Sequence, residues 1–222
     1  PVLGRFAAHG GTLSQTLAMR AFCALILPLC FIYLRKTPIN IPRRALPALI
    51  FNGVCSGVVA DMLLFTAIAM VPVVNVSILC HLQPIVIVIL GTVYLKHEKL
   101  SAAQKVGISL MVISAIVVTS RTFENLGALS FGSTGDLLIV GATVCWASGS
   151  VFLKYRATTV PGVVIALTRS VISFPILVGF LMYRGDPFEF NLYQVAVGVN
   201  DGIGAILYYE ARSEERRVGK EC

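Results

Sequence analysis

Residues Leu63–Gly107 read LLFTAIAMVPVVNVSILCHLQPIVIVILGTVYLKHEKLSAAQKVG. Two apolar runs fold back at Val71-Pro72, a proline interrupts the second run at Pro84, and charge returns only at Lys96. Each arm is long enough to cross a hydrocarbon core at about 1.5 Å per residue. A turn this short between two such arms predicts a membrane hairpin.

Composition points the same way. The 222 residues are 56% hydrophobic and 13% charged, with mean hydropathy +0.83. A soluble chain of this length cannot hide so much apolar surface, so lipid is the expected solvent. Runs of membrane length occur at Leu13–Leu34, Ala45–Met70, Pro72–Leu95, Ala103–Ser120, Leu137–Leu153, Val160–Tyr183 and Leu192–Tyr209. The expected fold is therefore an all-α polytopic membrane protein with about seven crossings in this chain.

Basic residues alternate between the connections. Arg35, Lys36, Arg43 and Arg44 come after the first run, Lys96, Lys99 and Lys105 after the third, and Lys154 and Arg156 after the fifth. The other connections carry Arg5, Arg121 and Arg184. This bias places the first group in the cytoplasm. The net charge of +7 and the pI near 9.3 are thereby explained as topology, with no nucleic-acid partner implied.

The hairpin resembles the EamA-type repeat of the drug/metabolite transporter superfamily. The resemblance rests on the Ala67-Ile68 to Pro72 turn, on Pro84 inside a helix, and on Glu98, Gln104 and Gly107 as the structural motif beyond it. Gly135-Asp136-Leu137-Leu138, with Cys145-Trp146-Ala147 after it, resembles the start of that family's second repeat. An offset of 149 residues also lays Ala18-Met19-Arg20-Ala21 over Leu167-Thr168-Arg169-Ser170. A unit of five crossings has an odd count, so its second copy sits inverted. The resemblance implies inverted five-helix repeats, ten helices in the full-length protein and helices two to eight here.

The corresponding division is 1–120 for the first repeat, lacking most of its first helix, 121–133 for the connecting loop and 134–211 for a truncated second repeat. Residues 212–222 (RSEERRVGKEC) back-translate to what resembles a sequencing-library adapter and are set aside as non-native. With Pro1 in first place, the chain reads as an internal piece of a longer gene.

Ionisable groups inside apolar runs are costly unless they face partners or a wet cavity. Asp61 and His81 each lie ten residues from Val71 on opposite arms, about 15 Å from the turn and near the midplane. A carboxylate and an imidazole at one depth could hold a transported proton, or Asp61 could cap a backbone and His81 fill a cavity wall. Pro84 removes one intrahelical hydrogen bond and crowds the Cys80 carbonyl, so a kink is expected there, with Gln83 beside it. Carbonyls freed by such a kink can face substrate or simply accommodate packing. Trp146 falls mid-helix, lining a cavity or filling the core. Glu98 pairs with neighbouring Lys96 or Lys99, Arg20 and Arg169 snorkel to headgroups, and Asn200-Asp201 forms a second polar patch.

Cys23, Cys30, Cys55, Cys80 and Cys145 all lie in apolar runs without metal-ligand spacing and read as buried thiols. Asn75-Val76-Ser77 matches a glycosylation sequon inside a helix and reads as chance. No phosphate-binding glycine loop, metal site or cofactor motif is present.

The expected function is a secondary transporter in a bacterial-type inner membrane. It would move a small polar metabolite, an amino acid or related compound, by alternating access, with proton coupling through Asp61 and His81. The substrate, the bilayer and protons are its expected partners. Two rival classes are a non-transporting receptor or scaffold and an intramembrane serine-type enzyme built on Ser148-Gly149. The enzyme reading is weakened because Trp146 stands two before the serine, where a rhomboid-like protease carries glycine, and because His81 precedes the serine.

Overall fold

The structure is a computed structural model, and it describes residues 11–95, 102–120, 132–188 and 190–221. Every element among them is helical, without strands: α1 (Leu13–Arg35), α2 (Leu46–Phe51), α3 (Ala60–Ile68), α4 (Val73–Cys80), α5 (Gln83–Leu95), α6 (Ala102–Ser120), α7 (Thr134–Arg156), α8 (Gly162–Arg184) and α9 (Leu192–Glu221). Five stretches are long and apolar enough to span a bilayer: Leu13–Arg35, Arg43–Ile68, Val73–Gly91, Thr134–Arg156 and Gly162–Arg184. The fourth and seventh expected crossings are the helices α6 and α9.

Local chemistry sets the ends. At α1, the Thr12 hydroxyl accepts from the Gln15 N–H while Gln15 Oε1 accepts from the Thr12 N–H, a reciprocal cap for two otherwise orphaned donors. Helix α8 starts after Pro161, which lacks an N–H to leave unsatisfied, and ends at Gly185, whose φ of 70° suits a residue without Cβ. The second span is continuous but not uniform. A 3₁₀ turn at Arg43–Ala45 leads into α2, and Asn52–Val59 is wound as a π-helix before α3 resumes.

The chain forms two compact units, Val59–Val151 and Val2–Val58 with Phe152–Cys222. In the first, α4 packs on α6 and on the start of α7. In the second, α1 lies against both α8 and α9, and its core gathers Leu49, Leu153, Val163, Val164 and Leu167.

Small residues allow the close crossings of the second unit. A Cβ on Gly198 would come within 2.7 Å of Cys23 Cβ, and one on Gly202 within 2.6 Å of Leu27 Cδ1, so α9 sits directly on α1. Likewise Gly53 and Gly57 of the π segment meet Ile172 and Ser173 of α8. Between α1 and α8, the Ser170 hydroxyl donates to the Ala24 carbonyl at 2.9 Å. Backbone approach of this kind is how helices associate where lipid removes the hydrophobic drive.

Candidate functional site

The π segment delivers its first consequence at Asp61. A π turn holds about one more residue than an α turn, so the helix beyond it is rotated by roughly 100° relative to an unbroken one. Asp61, in the first turn of α3, is fully buried inside the first unit. An apolar span thus carries a carboxylate shielded from its surroundings, a costly placement that marks ion or substrate pathways in membrane proteins.

The opposite arm is broken where a kink was expected, though the break begins before the proline. Helix α4 ends at Cys80, His81 and Leu82 form a turn, and α5 begins at Gln83. The cause is the missing N–H at Pro84, which cannot serve the Cys80 carbonyl, so regular winding stops one turn upstream. His81 is exposed and lines a cleft of about 290 Å³ with Ile78, Leu82, Leu110, Met111 and Ser114 of α6. Gln83 is half-buried and Pro84 exposed. The cleft takes in His81 but neither Asp61, Gln83, Pro84 nor Trp146. Asp61 and His81 therefore occupy contrasting environments within one unit.

A third polar group was not anticipated. Asn75 Nδ2 donates to Asp136 Oδ1 at 3.2 Å, and Asp136 Oδ2 accepts from the Ser133 N–H at 2.8 Å and the Ser133 hydroxyl at 2.9 Å. Asn75 and Asp136 are both buried. Nearby, a Cβ on Gly135 would sit 2.5 Å from Val71 Cγ1 and 3.0 Å from Met70 Cβ, so the hairpin turn docks on the start of α7. Further along, the Thr143 hydroxyl lies 3.4 Å from the Leu79 carbonyl. The asparagine of the sequon is thus a buried link between α4 and α7. The Ser-x-x-Asp spacing before an apolar run was the signal that could have found the Ser133–Asp136 cap, though not its partner Asn75.

Several other expectations are corrected. Arg20 does not snorkel: it is buried, and its Nη1 donates to Asp201 Oδ2 at 3.0 Å across the α1–α9 crossing. Arg169 is half-buried and its Nη2 donates to the Ser56 carbonyl of the π segment at 3.1 Å. Both long side chains find an acceptor inside the unit. Among the described cysteines only Cys23 is buried, while Cys30 is exposed and Cys55, Cys80 and Cys145 are half-buried. The apolar run around each thiol does not bury it where lipid is the solvent.

Trp146 is half-buried in α7. The Ser148 hydroxyl donates to the Cys145 carbonyl of its own helix at 2.9 Å, as a helical serine does. Among the described residues no His, Cys, Asp and Glu cluster could hold a metal. Of the motif residues, Gly107 lies half-exposed on α6, Gln104 falls in the first turn of α6, and Glu98 lies outside the described residues.

Helical spans, paired glycines and a buried carboxylate in one span define a polytopic membrane protein built around polar intramembrane positions. The sequence profile of the EamA-like transporter family matches residues 1–120 and 133–215, and the chain belongs to that family. It is 23% identical to an uncharacterized transporter of Methanothermobacter thermautotrophicus, over 87% of this chain, and spans 62% of that relative's length. A solved crystal structure superimposes with a TM-score of 0.60 at 19% identity, covering 94% of this chain and 74% of the other, which supports the fold alone.

Proposed function

We propose that this chain is part of a secondary transporter that moves a small polar metabolite, an amino acid or related compound, across an inner membrane by alternating access. The transporter family and the helical spans support the class. The observation that carries the mechanism is Asp61, a carboxylate wholly buried inside an apolar span and directly after a π segment. The broken arm at His81-Leu82 and the π segment are places inside the described spans where regular α winding is lost, and such places serve as binding backbones and hinges in carriers. Asp61 takes up and releases the coupling proton, His81 at the cleft relays it, and Gln83, Pro84 and Trp146 line the route of the substrate. Inverted five-helix repeats, divided near residues 120 and 134, supply the two alternating faces, with the Arg43 and Lys99 loops on the cytoplasmic side.

The test is a pH step imposed on vesicles carrying the full-length protein, with a panel of radiolabelled amino acids. Asp61→Asn should insert normally and lose pH-driven flux at least tenfold, because an amide cannot ionise. His81→Ala should retain flux with a displaced pH optimum. Equal flux from Asp61→Asn and wild type between pH 5 and 8 would leave a gradient-independent facilitator as the better account.

A further inference from the structure

The second unit carries a groove of about 720 Å³ that the transport reading does not use, lined by Arg43, Leu46, Ile50, Phe51, Val54 and Phe152 among others. The residues from the second span recur every three or four positions, so they form one stripe along the helix. Phe152 of α7 closes the side, its ring edge-on to Phe51 with centroids 5.5 Å apart. Leu46, Ile50, Phe51 and Val54 are all exposed, and the single charge in the lining sits at one end.

Length and charge together say what belongs there. From Arg43 to Val54 the stripe runs about 16 Å, half of a roughly 30 Å hydrocarbon core and the depth of one leaflet. The Arg43 end is strongly cationic: Arg43 and Arg44 are exposed, and exposed Lys154 and Arg156 come within four residues after Phe152. No acidic residue occurs from Arg35 to Ala60 or from Phe152 to Pro161. Glu210 is engaged, its Oε1 accepting from the Val163 N–H at the start of α8 at 2.8 Å. Tyr155, 60% exposed beside these cations, suits the headgroup level.

We infer that this groove holds an anionic phospholipid of the adjacent leaflet, its phosphate on Arg43 and one acyl chain along Leu46, Ile50 and Val54 against Phe152. An apolar slot one leaflet deep with cations at its mouth matches an anionic headgroup over an acyl chain. The lipid site does not depend on which face of the membrane carries the basic end, nor on Asp61 or transport.

A tryptophan placed in the slot reads the occupant. The chain carrying Trp146→Phe and Ile50→Trp is reconstituted in phosphatidylcholine vesicles with a fixed fraction of dibrominated phosphatidylglycerol or dibrominated phosphatidylcholine. The brominated anionic lipid should quench the reporter with about fivefold preference, Arg43→Gln should remove that preference, and Arg43→Lys should keep it. The fivefold figure is what one cation near a membrane surface contributes. A reporter at exposed Val171 of α8, which does not line the groove, should show no preference.

Equal quenching by the two lipids would overturn the inference, as would a preference that survives Arg43→Gln or is as strong at Val171→Trp. Loss of preference in Arg43→Lys would overturn it too, because shape rather than charge would then decide. If neither lipid quenches, protein covers the groove and the inference fails.

Discussion

Two crossings in the second unit pose the same problem and resolve it differently. Helix α9 lies on α1 through Gly198 and Gly202, and the π segment lies on α8 through Gly53 and Gly57. The offset of 149 residues that lays Arg20 over Arg169 also lays Gly53 over Gly202 and Asn52 over Asp201. Each crossing thus presents a buried or half-buried arginine to a partner helix. On α9 the acceptor is a carboxylate, Asp201. In the second span it is a backbone carbonyl, that of Ser56, within a helix wound too wide for regular α bonding.

The difference shows what a π turn does here. An α-helix interior has its carbonyls bonded along the axis, which leaves each one a single lone pair for a crossing donor, as Ala24 offers the Ser170 hydroxyl. Widening the helix weakens that ladder and lets a carbonyl reach outward. Asn52 is then released from pairing with an arginine, and its amide donates instead to the Tyr209 hydroxyl at 3.2 Å.

The largest effect should come from the glycines that both crossings share. Gly53→Leu and Gly202→Leu each drive a side chain into Ile172 or Leu27, and each should cost about 3 kcal/mol, the upper range for overpacking. Unfolding in mixed micelles of dodecylmaltoside and SDS, monitored by circular dichroism, gives the comparison. A tolerated leucine at one site and not at the other would break the correspondence between the crossings.

How much of this was legible in the sequence depends on the length scale of the signal. Apolar runs, the Val71-Pro72 turn and Pro84 announced the helices and the broken arm, because hydropathy and proline act locally. The Arg20–Asp201 and Asn75–Asp136 pairs join residues far apart in the chain, and no spacing rule connects them. The π winding was invisible for a related reason: Asn52–Val59 (NGVCSGVV) has no proline to interrupt it, and only packing of Gly53 and Gly57 on α8 reveals the wider turn. Asp61 was singled out by its charge alone. It is buried, whereas His81, expected at the same depth by counting residues, is exposed in the turn between α4 and α5.

A smaller effect should come from making the two arginine sites alike. Asp201→Asn gives α9 the residue that the second span already has at Asn52, but without a widened helix to supply a carbonyl. Buried Arg20 then loses its counter-charge, which should cost about 2 kcal/mol, below the range for fully buried pairs because Asp201 is partly exposed. Arg169→Gln, which removes a charge-assisted bond to a carbonyl, should cost about 1.5 kcal/mol. If Asp201→Asn proves harmless while Arg169→Gln does not, the carboxylate is dispensable and the π segment makes the stronger contact.

The smallest effect expected lies at the point where the two crossings meet chemically. Tyr209 of α9 is buried, and its hydroxyl accepts from Asn52 at 3.2 Å. Tyr209→Phe keeps the ring and its contact with the α8 start while leaving the Asn52 amide short of one partner, so the cost should be about 1 kcal/mol. Combining it with Asp201→Asn sharpens the comparison. Positions 52 and 201 serve different acceptor systems, so the double variant should lose the sum of the two single costs within about 0.5 kcal/mol. A clear departure from additivity would mean that Asn52, Tyr209, Asp201 and Arg20 act as one network, and the two crossings would then be two ends of a single polar assembly rather than separate solutions.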